Sequence, residues 1–328
     1  PWMQPTGGPS EDEHAESGGQ PMIGCFGKVP ASPDFVSLHG ASDDVCEFDA
    51  WLQGALADMQ QREDWRTLFD RLPVCYFSYR ARSGNWVVGG LISSRDSSAR
   101  RYPFFIFQTV KASEAGTFVN PFTLSELFCA QIKPLLHMAA QGEGTTVLFE
   151  RLRALRPLQG QDFELFRRVH EKFLVNFTLR DIATSLESSY PEFISNAVFT
   201  RLQALSRPSH KAPIGISLPL PAERGLKNPT ADLWVNWLSR LNASKAVPQI
   251  SILADDFMRP RLFCFPSRTT AGVYRVMTGV SEHSENYDVL APFDVFDEHH
   301  RGHGFPDIDR PLYDVIDRFV DVLDLKSV

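Results

Sequence analysis

Three short runs rich in aromatic and β-branched residues constrain the fold more than any other feature of this chain. They are VCYFSYR at 74–80, NWVVGGLIS at 85–93 and PFFIFQTV at 103–110. Runs of this length and composition, separated by turn residues, predict β-strands. Gly84 and Asn85 lie at the bend between the first two runs, which predicts a hairpin. The centre of the molecule is therefore expected to be a β-sheet.

Helical periodicity surrounds these runs. Apolar residues recur at helical spacing in 45–59, 230–242 and 310–325, and residues 142–210 form a helix-rich middle. Further strands are predicted at 22–28, 213–220, 249–255 and 261–266. This order of elements predicts an α/β fold, with a sheet covered by helices.

Composition excludes several classes of function. The formal net charge is −7 and the basic residues are scattered, which argues against a nucleic-acid surface because such binding needs clustered cations. The five cysteines are odd in number and form no CxxC pair, so they predict buried thiols in a reducing cytosol. No membrane span and no signal segment are predicted, and a cytoplasmic protein is expected.

The stretch GCFGKVPASPDFV at 24–36 invites comparison with a phosphate-binding loop. Such a loop needs a hydroxyl directly after its lysine, but Val29 follows Lys28. The position that requires the first glycine holds Met22, and two prolines prevent a helix from starting at once. The stretch therefore predicts a strand that ends in a proline-stiffened loop, and no cofactor is expected.

Three blocks in order resemble the N-terminal signature of the TagF (ImpM) family of type VI secretion accessory proteins. The blocks are GCFGKVPASPDFV, FDAWLQGAL and WVVGGLISSRDSSARRYPFFIF, within residues 23–110. The family pattern reads GxxGKxPxxGDFV in the first block and PSxDxxGRxFP in the third. This chain departs from it by Pro33 and Ala99 in place of glycines and by Ser93 in place of proline. The signature-loop candidates for partner binding are Lys28, Pro30, Asp34, Asp96, Arg100, Arg101 and Tyr102.

The resemblance implies a cytosolic, layered α-β-α sandwich with a central mixed sheet. It also implies a post-translational regulator that holds the secretion apparatus inactive, linked to a forkhead-associated scaffold protein and to a kinase/phosphatase switch. The family is not known for catalysis. We expect a TagF-like domain at 21–280 with its signature part at 22–110, and the helical middle at 142–210 as an addition to it.

The ends of the chain are interpreted separately. Residues 1–20 are polar, glycine-rich and acidic, which predicts a disordered tail or a remnant of cloning. Residues 281–328 are expected to form a C-terminal loop and an amphipathic helix packed on the domain.

The polar residues of the signature loops allow two interpretations. Lys28, Asp34, Asp96, Arg100 and Arg101 could form a charged patch or pocket between the first strand and the 93–103 loop. The favoured interpretation is that the two aspartates accept backbone N–H groups and that one pairs with an arginine. Such a pair would fix the loop that a partner recognises.

Other candidate residues are interpreted as structural. The histidines of FDEHHRGHG at 296–304 could bind a metal, but a solvated loop is favoured because the ligand spacing is wrong. His170 is predicted to be a surface residue, and Asp255 with Asp256 a solvated turn. No catalytic constellation is found, so no catalytic or metal residue is assigned.

Three hypotheses remain. The first is a binding protein without enzymatic activity that sequesters the forkhead-associated scaffold and represses secretion. The alternative is a hydrolase, or an enzyme that binds nucleotides or phosphopeptides, with a pocket built from Lys28, Asp34, Asp96 and Arg100. The third is a structural subunit of the secretion baseplate.

Overall fold

The structure is a computed structural model. It describes residues 21–116, 120–193, 195–205, 213–241, 248–291 and 308–316. The tail predicted at 1–20 and the histidine-rich loop at 296–304 lie outside these residues. The predicted C-terminal helix is described only over 312–316, where it is helical and buries Leu312, Val315 and Ile316.

A mixed sheet forms the centre of the described part of the chain. Its strand order is β2-β1-β5-β4-β3-β7-β8-β6-β9, and every neighbouring pair is antiparallel except β6 and β9. The two three-residue strands, β2 and β9, are missing from the sequence prediction because so short a run carries no readable alternation. The strands are β1 (Ile23–Gly27), β2 (Val36–Leu38), β3 (Cys75–Arg80), β4 (Trp86–Ile92), β5 (Phe104–Val110), β6 (Gly215–Pro219), β7 (Ile250–Ala254), β8 (Arg261–Phe265) and β9 (Asn286–Asp288).

Helices precede, interrupt and follow the strands along the chain. The long helices bury one apolar face, as the spacing of their apolar residues requires. The numbered helices, long and short, are α1 (Asp43–Met59), α2 (Trp65–Arg71), α3 (Ala112–Ala115), α4 (Pro121–Ala140), α5 (Thr145–Arg153), α6 (Gly160–Asn176), α7 (Leu179–Ser189), α8 (Ser195–Ala204), α9 (Lys227–Leu241) and α10 (Val273–Thr278). In the described residues, no helix is both long enough and apolar enough to cross a membrane.

Two hydrophobic cores lie on opposite faces of the sheet. Successive strand residues point to opposite faces, so Tyr76 and Val88 contribute to one core while Phe77 and Val87 contribute to the other. Helices α1, α2 and α10 cover the second core, and α4 to α9 cover the first. The α/β fold class predicted from the sequence is confirmed.

The sheet is continuous between the early and the late strands. Strand β3 pairs with β7 over five residue pairs, from Cys75 with Ala254 to Tyr79 with Ile250. A second link joins α4 to α9, because the Asp232 carboxylate accepts the N–H groups of Phe122 (2.9 Å) and Thr123 (2.7 Å). These groups lie in the first turn of α4, where N–H donors have no partner within the helix. Distant parts of the chain thus share one sheet and one helical layer.

Candidate functional site

The two signature loops lie side by side because their strands are neighbours. Strand β1 pairs with β5, and this pairing sets Gly27 opposite Phe104. Gly27 has φ of 135°, and a Cβ there would lie 2.2 Å from the Pro103 carbonyl oxygen, so only glycine fits. The loops also touch directly, since the Ser97 N–H donates to the Ser32 carbonyl at 2.9 Å. The two segments in which the sequence most closely resembles the family pattern are therefore in contact.

Asp96 is the centre of the second loop. Its side chain is fully buried, and its Oδ1 accepts the N–H groups of Ser98 (2.9 Å) and Arg100 (3.0 Å). Its Oδ2 accepts from the Arg100 Nε at 2.8 Å and lies 3.3 Å from the Lys28 Nζ. Burial raises the pKa of Asp96, but these hydrogen bonds and the Lys28 charge outweigh it and lower the pKa below its ordinary value. The carboxylate is ionised at neutral pH and holds the loop closed.

Ala99 completes the tight turn that Asp96 holds. Its φ is 63°, in the left-handed region that glycine adopts without strain. Ala99 stands where the family pattern has glycine, so the glycine-like backbone is kept although the side chain has changed. The hydrogen bonds to Asp96 stabilise this strained turn.

Arg100 joins the second loop to the first. Besides its bond to Asp96, it donates from a terminal nitrogen to the Pro33 carbonyl at 2.8 Å. Its side chain is 61% exposed, so it presents a cation to solvent while its position is fixed. We call the two loops at 28–35 and 94–101, which carry the exposed side chains of Phe35 and Arg100, the signature surface.

Phe35 is the apolar part of the signature surface. It is 44% exposed, although its ring stacks on Phe26 at 5.3 Å and meets the edge of Tyr102 at 5.1 Å. The Lys28 ammonium lies 5.0 Å from its centroid, in cation–π contact. An aromatic side chain held by three neighbours and still open to solvent is typical of a binding anchor.

The remaining predicted site residues lie in different surroundings. Pro30 lies in a turn that the Ser32 N–H closes on the Val29 carbonyl at 3.1 Å. Asp34 is exposed, and its carboxylate accepts no hydrogen bond from any residue that the structure describes. The two aspartates therefore differ: Asp96 organises its loop, and Asp34 is presented to solvent.

Arg101 and Tyr102 contact the helices on the other side of the loop. Arg101 forms a bidentate pair with Asp70 of α2, with both distances 2.8 Å. The Tyr102 hydroxyl donates to the side chain of Asp49 on α1 and lies 3.2 Å from its carbonyl. These two residues anchor the loop to the body of the protein and do not join Lys28, Asp96 and Arg100.

Asp255, predicted to belong to a solvated turn, is buried in a second charged cluster. Its side chain is 8% exposed and accepts from Lys133 of α4 at 2.9 Å and from Lys227 of α9. Burial raises the pKa of Asp255, but the two lysines outweigh it and lower the pKa. Asp256 does form the expected turn, because its Oδ1 accepts the N–H groups of Met258 and Arg259. The sequence pattern did not show that the two adjacent aspartates have different surroundings.

The surface prediction for His170 is wrong. His170 is buried on α6 and lies with its Nε2 at 2.8 Å from the Asn236 Nδ2 of α9. Burial lowers its pKa to about 4, so it is neutral at physiological pH. Flanking arginines, glutamate and lysine made the segment look polar, but the helix turns His170 inward with Phe173, three residues later. Helical spacing from Phe173 was the one signal that could have found it.

The signature surface consists of two loops that are held in a fixed arrangement. Its ionised groups pair with one another or are exposed on fixed loops. Its exposed aromatic ring, Phe35, packs on Phe26 and Tyr102. The family model described as the TagF N-terminal domain, type VI secretion system-associated, matches residues 24–155, less than half of the chain. The chain therefore carries a TagF-type N-terminal domain, and the resemblance found in the three sequence blocks is confirmed.

One similar solved structure is the crystal structure of PA0076 from Pseudomonas aeruginosa PAO1. It is 23% identical, with a TM-score of 0.35, over 42% of this chain and 63% of that chain. This chain thus aligns with less than two thirds of that protein. No curated protein matches the chain.

Proposed function

We propose that this protein is a cytoplasmic regulator of type VI secretion that works by stoichiometric binding and not by turnover. Its partner in this proposal is the forkhead-associated scaffold protein of the secretion system, whose sequestration prevents assembly. The kinase/phosphatase switch then acts on the scaffold that remains free. The observation that carries the proposal is the family match at 24–155, which includes both loops of the signature surface.

The contacts of the loops support binding as their role. Asp96 accepts three hydrogen bonds, from Ser98 and twice from Arg100, and lies 3.3 Å from the Lys28 ammonium. A general base or a nucleophile needs a lone pair that can reach substrate, and these bonds occupy the carboxylate. The side chains that the loops leave accessible include the aromatic ring of Phe35 and the Arg100 guanidinium. Aromatic and arginine side chains contribute most of the binding energy at protein interfaces.

A binding measurement with purified components tests the proposal. This chain is titrated with the forkhead-associated scaffold in a calorimeter. Phe35→Ser is expected to weaken binding at least tenfold, because truncating an interface anchor costs about 2 kcal/mol or more. Leu165→Ser on α6 is the matched control, since Leu165 is also an exposed large apolar residue, at 54%. Absence of binding by the wild type, or equal weakening by both variants, would contradict the proposal.

One observation favours the alternative of an enzyme or a nucleotide-binding protein. Three of the four residues assigned to its pocket, Lys28, Asp96 and Arg100, do converge. A thermal-shift series with nucleotides and phosphorylated peptides separates the two hypotheses. Stabilisation by one of these ligands, abolished by Lys28→Ala in a protein that still folds, would support the alternative and contradict a purely macromolecular role.

A further inference from the structure

A cavity of about 350 Å³ opens beside Asp255, away from the residues of the signature surface. It lies where the end of β7 meets α4, the first turn of α9 and the loop at 221–226. Its volume is within the range of small-molecule sites in proteins. The side chains on its wall include Lys133, Arg224, Lys227, Asp255 and Phe257.

Two lysines on this wall keep unused donors. Lys133 bonds one carboxylate oxygen of Asp255 and Lys227 bonds the other. An ammonium group carries three N–H donors, so each lysine retains two after this bond. The lysine side chains are 46% and 28% exposed, so a solute in the cavity can reach them. Asp255 thus holds two cations at a fixed position on the wall.

Arg224 adds a third cation. It is exposed, and its guanidinium forms no hydrogen bond or ion pair with any residue in the described ranges. A guanidinium carries five donors in a planar arrangement that matches carboxylate and phosphate oxygens. Arginine also stays protonated at every physiological pH, so this donor set is always present.

Three acidic residues line the same cavity, and two of them are engaged by hydrogen bonds. Both oxygens of Asp255 are occupied by the lysines, and the Oδ1 of Asp256 accepts the two N–H groups of its own turn. Burial raises the pKa of Glu126, and this effect outweighs the nearby charges of Lys227 and Arg224. Glu126 is itself exposed, and its carboxyl group accepts no hydrogen bond from any residue in the described ranges. The two lysines and Arg224 therefore keep donors that a ligand can reach, while Glu126 remains an acidic neighbour on the same wall.

An apolar side chain stands on the same wall. Phe257 is 91% exposed, although the loop that carries it is firmly held. Asp256 closes the turn, and Arg259 pairs with Glu192 and lies 4.5 Å from the centroid of the Tyr190 ring. The Phe257 ring is therefore available to pack against the apolar part of a molecule held in the cavity.

We infer that this cavity binds a small organic anion. Its carboxylate or phosphate head is held by Lys133, Lys227 and Arg224, and its apolar part packs on Phe257. The inference goes beyond the proposed regulatory function and uses no residue of the signature surface. The wall combines Tyr76 and 126–133 from the family-matched segment with residues 222–260 outside it, so the site depends on the way the two parts meet.

Calorimetric titration of the full chain at constant ionic strength tests this site with three probes: inorganic phosphate, phenyl phosphate and benzoate. Saturable binding of at least one probe is expected, and the preference between phenyl phosphate and benzoate identifies the head group. Arg224→Gln is expected to weaken binding about tenfold, because a hydrogen bond to a charged group contributes about 1.5 kcal/mol or more. Lys172→Gln removes the same charge from an exposed position on α6 and should leave binding unchanged.

Phe257→Ser tests the apolar part. It should reduce the affinity for phenyl phosphate to that for inorganic phosphate, while the affinity for inorganic phosphate stays as in the wild type. Because Arg224 and Phe257 are exposed, both variants are expected to fold, which far-ultraviolet circular dichroism verifies. The inference is overturned if no probe saturates, if Arg224→Gln binds like the wild type, or if Phe257→Ser retains the preference for the phenyl group.

Discussion

Asp96 and Asp255 are both buried carboxylates, and each forms ion pairs with two cationic side chains. The two clusters differ in how far apart their members lie in the sequence. Asp96 takes most of its partners from its own loop, within four residues, and only Lys28 comes from elsewhere. Asp255 takes both lysines from distant helices, 122 and 28 residues away. The first cluster therefore shapes one loop, while the second ties two helices to the end of a strand.

The largest effect is expected from a substitution that breaks the cluster of Asp255 with Lys133 and Lys227. Asp255→Ala leaves two lysines facing each other without a counter-charge, and we expect the free energy of unfolding to fall by about 2–3 kcal/mol. This is less than the roughly 3–5 kcal/mol typical of broken buried pairs, because the Lys133 side chain is half exposed. Urea denaturation measures it. Asp256→Ala is the matched control and should cost about 1 kcal/mol, since only a turn is lost.

Acid titration compares both clusters. The pKa of each carboxylate lies below its ordinary value of 3.8 in the folded protein. The unfolded chain therefore binds protons first as the pH falls, and each carboxylate contributes stability that is present above pH 3.8 and lost below it. In urea denaturation between pH 5 and pH 2, Asp255→Asn should lose less stability than the wild type over the acidic part. An unchanged slope in this variant would contradict the assignment.

Breaking the local cluster should have a local effect. Asp96→Asn keeps the size of the side chain but removes the charge that Arg100 and Lys28 bind. We expect faster hydrogen exchange at the amides of Ser98 and Arg100, and a smaller change in the urea midpoint than for Asp255→Ala. Binding of the scaffold should weaken together with this loosening. An equal global destabilisation by both variants would erase the distinction between the clusters.

The smallest change in the free energy of unfolding is expected from a substitution at Ala99, in the second signature loop. Ala99→Gly restores the residue that the family pattern has at a φ of 63°. Relief of the left-handed strain exceeds the entropy that glycine loses on folding, so we expect a gain of about 0.5–1 kcal/mol in the free energy of unfolding. Precise urea denaturation can resolve it. A loss of stability would show that the Ala99 side chain makes a contact worth more than the strain.

The same contrast explains what could be predicted from sequence. Periodicity predicted α1 and the hairpin of β3 and β4, because these patterns are local. The signature motif placed two aspartates and two arginines in the early loops, so a pair between an aspartate and an arginine was expected, but the motif did not show which residues form it. Partners that are distant in the chain have no such pattern. The lysines on Asp255 and the contact between His170 and Asn236 depend on how helices pack, and no periodicity encodes it.

The pairing of β3 with β7 bears on any attempt to shorten this protein. A fragment that stopped at residue 155, where the family match ends, would keep β3 but lose the strand beside it. The edge of β3 that pairs with β7 over residues 75–79 would then present unpaired amides and carbonyls at alternate residues, the usual template for aggregation. Such a fragment would also lack the carboxylate that caps α4. For expression work, the shared sheet is a better guide to where to cut than the family boundary.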